Sequence, residues 1–266
     1  MKKFLKILGL IGLIGLVIVV TPKAHADEVE EYLTRNALLG EELDRFEENE
    51  QQQAKLKRLS KNCMDEIELR TKYEEYKALG VLEEDVTFEL FTQLATSEPP
   101  TDPVAPEFRN ARTKMYYGDI LITNDTSFWG VTGHAGIYLG SVGKNQILSI
   151  EGSGKPPKTM SVLEWESAYG KKGTWTKIYR VAEQYQPRLA ARWALDNYND
   201  KNYKYGITTN IFGMDPTYCS KIVWQAYWYA SAAVQVGGMY QPLIALPYDL
   251  PDYFDERAIH ILTWEN

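Results

Sequence analysis

The sequence predicts an α+β protein, one antiparallel sheet packed on one side by helices, with a helical segment ahead of it. Three observations carry this expectation. Residues 27–95 are rich in Glu, Leu, Lys and Gln, contain no proline, and set Leu39, Leu43 and Phe46 at helical spacing. Prolines then stand at 99, 100, 103 and 106, which forbids helix and gives a stiff, extended connection over 96–107. Beyond it, Tyr and Trp become frequent and alternating β-branched runs appear, so the domain boundary is placed at that connection and residues 108–266 form the chemical half.

The elements follow in order. Residues 1–26 read as a secretory signal: MKKFLK is basic, Ile7 to Val20 is apolar, and Ala24 and Ala26 are small residues suited to cleavage after Ala26. The apolar run is shorter than the roughly 20 residues of a spanning helix, so no stable membrane span is expected after cleavage; a retained anchor is the alternative. The expected location is secreted or in the cell envelope. Over 27–95 the stretch EENEQQQAK breaks the apolar stripe before Leu56, Leu59, Cys63 and Ile67 resume it, which favours a hairpin or small bundle, turning near Gly40 or Gly80, over a long coiled coil. In the second half, strands are expected at 118–123 (GDILIT), 134–140 (HAGIYLG) and 146–152 (QILSIEG), the last two joined at SVGKN. Ser161 and Glu164 stand at capping-box spacing ahead of a helix, and TWTKIYRV follows as a strand. Pro187 opens another helix, Pro216 breaks the chain before a third that begins near Cys219, and RAIHILTW closes as a strand.

Composition excludes several functions. The chain has 266 residues, 44% hydrophobic and 24% charged, with a net charge of −7. Losing the signal removes four lysines and no acids, leaving a net charge of about −11. No basic stripe is present to displace counterions from phosphates, so no nucleic-acid partner is expected. Three His and two Cys are too scattered for a zinc site; no metal and no cofactor are expected.

Cys219 is the candidate nucleophile. Ile222, Val223, Ala226 and Ala230 follow it at helical spacing, which puts it at a helix start, where unpaired N–H groups and the macrodipole are expected to lower a thiol pKa. A thiol needs a base, and His134, at a strand start after a Gly-containing loop, is preferred to His260, which lies inside the alternating run 258–262 and is expected to be structural. Glu151, at the far end of the hairpin that His134 begins, is the candidate for orienting the imidazole. Phe128 and Trp129 in the preceding loop, and Tyr218 before the nucleophile, are candidate substrate contacts.

The ordered set GDILIT, GHAGIYLG, ILSIEG and YCSKIVWQAY resembles the circularly permuted papain-like cysteine peptidases, the YiiX/YebB-like branch of the NlpC-type superfamily. The resemblance covers about 117–264, with YKYG (203–206) and PYD (247–249) as further matching segments. It implies a permuted papain-like domain in which Cys219, His134 and Glu151 form the triad. Lys221 is a departure, since relatives often carry an acid there.

The implied reaction is acyl transfer through a thioester on Cys219. The expected substrate is a small peptide or acyl-amide in the cell envelope, peptidoglycan fragments included. An acyl or lipid ester or amide, cleaved or transferred, is the alternative. A non-catalytic envelope-binding module is the second.

Overall fold

In the computed structural model, residues 66–109, 114–125, 133–234 and 238–265 are described. The signal (1–26), the segment 27–65 with Cys63 and Gly40, and the candidate contacts Phe128 and Trp129 lie outside the described residues. The chain divides into two units, Met1–Lys72 and Tyr73–Asn266. The described part of the first unit, 66–72, is helical, with Arg70–Glu66 and Lys72–Glu68 ion pairs one turn apart on a solvated face.

Helix α1 covers 66–78, and in the second unit the chain turns at Gly80, whose φ of 64° suits glycine. Helix α2 (Phe88–Ala95) is capped by Thr87, whose hydroxyl accepts the Leu90 N–H. Its Phe91 packs edge-on against Tyr76 of α1. The strands are β1 (Ile120–Thr123), β2 (His134–Tyr138), β3 (Ile147–Ser149), β4 (Lys158–Met160), β5 (Trp175–Arg180) and β6 (Ile259–Glu265), and the helices α3 (Val162–Tyr169), α4 (Pro187–Tyr198) and α5 (Cys219–Val234). They form one six-stranded antiparallel sheet in the order β4-β3-β2-β1-β5-β6.

The local chemistry agrees with the sequence in the places where it was specific. Ser161 and Glu164 make the reciprocal capping box of α3, and Pro187 opens α4. The β2–β3 connection is a 3-10 turn, Gly140–Gly143, closed by Lys144 and Asn145 in left-handed conformation.

Two differences concern layering. Every residue of β1 and β2 is buried, so both sheet faces are covered and not one. Trp165 and Tyr169 of α3 form a core with Leu121, Ile147 and Ile178, while α5 packs against β2 and α4. The Pro-rich stretch 96–107, expected as a connection between units, lies inside the second unit as a strap along β6. Ala105 donates its N–H to the His260 carbonyl, Lys177 Nζ donates to the Pro100 carbonyl, and the Tyr179 hydroxyl donates to Asp102 Oδ1 at 3.0 Å. At the last residue of β5, Arg180 holds the buried Asp119 carboxylate through bonds of 2.9 and 2.7 Å. Among the described residues no helix is long and apolar enough to cross a membrane.

Candidate active site

Cys219 is the first residue of α5 and is buried, a free thiol. The backbone N–H groups of Ala135, Ser220 and Cys219 stand near its sulfur and favour the charged form. The Ala135 contact places it one residue from His134 on β2. Burial outweighs these donors and pushes the thiol above its ordinary value, which corrects the expectation of a lowered pKa. A helix terminus stabilises a thiolate only as far as the site remains solvated, and here desolvation wins. Ser220 also donates its hydroxyl to the Ala245 carbonyl at 2.7 Å, fixing the first turn of α5 to the segment 244–246.

His134 is 5% exposed, and its ring is clamped by aromatic side chains of α3: stacked on Tyr169 at 4.5 Å and tilted against Trp165 at 5.5 Å. The clamp is possible because Gly136, two residues on, leaves room for Trp165; a Cβ there would come within 2.8 Å of the indole.

Hydrogen bonding fixes the tautomer. Ser149 Oγ lies 2.6 Å from the Ala135 carbonyl, which can only accept, so the single hydroxyl proton goes there. Toward His134 Nε2, at 2.9 Å, Oγ must then accept, and Nε2 carries the hydrogen. The lone pair of the neutral imidazole is therefore on Nδ1. Burial drives the His134 pKa down to about 3, so the resting pair is thiol and neutral imidazole, not thiolate and imidazolium.

Glu151 takes a different place. β3 ends at Ser149, and the β2–β3 pairing, Ile137↔Leu148 and Tyr138↔Ile147, stops short of Glu151. Its carboxylate reaches Lys158 of β4 in a 2.8 Å ion pair, and the imidazole is held by Ser149 instead. Ser149 went unnoticed in the sequence; the available signal was a polar residue inside the apolar run ILSIEG.

Tyr218 is buried, and its hydroxyl accepts the Ala245 N–H at 3.0 Å. Lys221, also buried, extends to the Pro216 carbonyl at 2.8 Å, and burial lowers its pKa to about 8. Tyr205, from the YKYG segment, stands near Cys219; burial first, then the neighbouring sulfur, raise its phenol, which stays protonated. His260 stacks on Tyr179 at 5.1 Å, with Nδ1 on the Asp102 carbonyl at 2.8 Å and Nε2 on Thr263 Oγ1 at 2.9 Å, a structural role as expected. Among the described residues no group of His, Cys, Asp or Glu side chains is placed to hold a metal ion.

A family model described as "Lipoprotein N-acylation protein LnsA-like" matches residues 85–262, which include β1 to β5, the first part of β6 and the Cys219 helix. A Bacillus thuringiensis protein described as "Uncharacterized 30.3 kDa protein" is 36% identical over 161 residues, covering 58% of this chain and 58% of the relative. The chain thus matches less than two thirds of that relative's length. No solved structure matches.

Proposed function

Since the chain belongs to the LnsA-like lipoprotein N-acylation family, we propose that it is an acyl-transfer enzyme of the thiol type. It acts outside the cytoplasmic membrane, where its signal-like N-terminus points, on an acyl ester or amide of lipid origin. The family description favours this acyl reading over the peptidoglycan amide that the cysteine-peptidase resemblance brought forward. The resemblance to permuted papain-like enzymes supports the roles of Cys219 and His134. One observation carries the reading: a buried thiol beside the N–H of Ala135, the residue that follows His134 on β2, whose imidazole commits Nε2–H to Ser149 and leaves Nδ1 as the base.

The chemistry runs in two halves. Cys219 Sγ attacks the acyl carbonyl while Nδ1 of His134 takes the thiol proton. The bond to the leaving alcohol or amine breaks, and the imidazolium returns the proton to that group. An amine or water then attacks the thioester carbonyl, Nδ1 takes its proton, the C–S bond breaks, and the thiol is re-formed. An amine gives an N-acyl product and water a free acid. Burial disfavours a standing imidazolium, so the proton is passed on as each bond breaks. The Cys219 N–H and the protonated Tyr205 phenol are the donors we assign to the oxyanion.

The test offers a phospholipid, a short acyl ester and a peptidoglycan stem peptide side by side and reads the intact protein mass. An acyl adduct on Cys219, released by neutral hydroxylamine and absent from Cys219→Ala, is expected with the acyl donors. Cleavage of the peptide alone would restore the peptidase reading, and no adduct or turnover at all would leave a binding module.

A further inference from the structure

Helix α5 is the nucleophile's helix, and it has a second face. Trp224 and Trp228, one turn apart, stack at 4.8 Å, and Phe212 lies edge-on to both at 5.7 and 5.6 Å. The backbone of Tyr240 joins this group through Trp224, and Phe212, Tyr240 and Leu243, 40%, 65% and 64% exposed, are the exposed large apolar side chains of these segments. The same segment leads from Tyr240 at Trp224 to Ala245 at Ser220 and Tyr218, that is, to the start of the Cys219 helix.

The surface has two properties that select its partner. It lacks charge: no Asp, Glu, Lys, Arg or His occurs between Lys221 and Asp249, nor between Lys204 and Asp215, in a chain that is 24% charged. Two of its polar handles are spent internally. Trp224 Nε1–H donates to the Tyr240 carbonyl at 3.0 Å, and the Tyr229 hydroxyl to the Phe212 carbonyl at 3.1 Å. The Trp224 indole N–H can therefore border an apolar phase without leaving a hydrogen bond unmade, while the exposed Tyr240 carries its hydroxyl to the level of the headgroups, an arrangement suited to a lipid surface.

We propose that this aromatic face, centred on Phe212, Tyr240 and Leu243, seats the enzyme on the surface of an uncharged lipid bilayer, with the start of the Cys219 helix at the edge of the contact. The proposal rests on the acyl-transfer reading for its purpose but not for its test. Trp and Tyr are the residues favoured at the boundary between acyl chains and headgroups, and the chain's negative charge argues against anionic lipid as the attraction.

The experiment uses the full chain and vesicles of phosphatidylcholine brominated on the acyl chains, a contact quencher of tryptophan. The apolar run 7–20 is present in every arm, so any anchoring it provides is common to all. Wild-type fluorescence should be quenched, Trp228→Phe should remove much of the quenchable signal, and a Phe212→Ser, Tyr240→Ser, Leu243→Ser variant should lower quenching about tenfold while keeping its melting temperature. Turnover of acyl ester presented in vesicles should fall with it, and turnover of a short water-soluble ester should not. No quenching in the wild type, or equal quenching in the triple variant, overturns the proposal. A wild-type dimer that the triple variant abolishes, with no quenching, would assign the face to a second copy and overturn it too. If no ester is turned over by any variant yet the quenching pattern holds, the acyl reading fails and the docking surface stands.

Discussion

The two described histidines sit on an inner strand, β2, and an edge strand, β6, in nearly matching settings. Both are buried, and each lies flat on a tyrosine, His134 on Tyr169 and His260 on Tyr179, with the same interplanar angle of 25°. They differ in what is done with their nitrogens. His260 has both committed, Nδ1 to Asp102 and Nε2 to Leu262 and Thr263, and so ties the 96–107 strap to β6. His134 has only Nε2 engaged, by a hydroxyl that must accept. Burial and ring stacking are therefore shared by a structural and a candidate catalytic histidine. What separates them is an uncommitted Nδ1 lone pair, on a residue whose neighbour Ala135 lies beside the Cys219 thiol.

Removing each imidazole should break the comparison most widely. His134→Ala and Cys219→Ala should each lower acyl turnover about 1,000-fold or more with the fold retained. His260→Gln should keep turnover within a few-fold but lose about 1–3 kcal/mol of stability, because the half-buried Asp102 carbonyl and Thr263 hydroxyl lose a partner. Turnover and denaturant melts on the three proteins check this; a His260 variant as inactive as the His134 one would erase the distinction.

Acid response is next in size. Because the folded pKa of His134 is lowered to about 3 from an unfolded value near 6.5, the unfolded chain binds the extra proton first as pH falls. The stability due to neutral burial is then present above about pH 6.5 and lost between there and about pH 3, at up to about 1.4 kcal/mol per pH unit. His134→Gln should flatten that part of the stability–pH curve, as measured by urea melts at stepped pH. A slope unchanged by the substitution would mean that other groups set the acid limit.

The orienting partner is a smaller effect. Ser149→Ala should reduce kcat about tenfold or more by releasing Nε2–H from its acceptor and letting the other tautomer form, and Ser149→Thr should recover part of the loss. Glu151→Gln, with its carboxylate engaged by Lys158, should cost less than Ser149→Ala. The reverse ranking would return the orienting role to Glu151. Smallest is Gly136→Ala: its Cβ would press on Ile147 and Trp165, costing about 1–3 kcal/mol of stability and loosening the clamp on His134.

These residues also mark how far the sequence could be read. Cys219 at a helix start and His134 at a strand start follow from periodicity, and the capping box and Pro187 from local chemistry, because each depends on neighbours within a few positions. The choice between Ser149 and Glu151 does not. Both fall on the same face of an extended chain, and the outcome turned on Lys158, supplied by a three-residue strand, β4, too short to leave an alternating pattern. The thiol's raised pKa was equally out of reach, since a helix terminus is written in the sequence but the depth of its covering is set by distant segments such as the one carrying Tyr205. The strap was expected to be free of helix, yet it closes in a 3-10 turn at Pro106–Phe108, and its docking on β6 depends on His260, more than a hundred residues away.

That strap has a consequence for solubility. β6 is an outer strand of the sheet, and an outer strand with unpaired backbone groups is a template onto which another chain can add. Here Ala105 takes the carbonyl of His260, while Pro99, Pro100, Pro103 and Pro106 have no N–H to offer to anything beyond. The strap therefore ends the ladder without extending it: it occupies the rim and presents an outward face poor in donors, guarding the protein against edge-to-edge polymerisation.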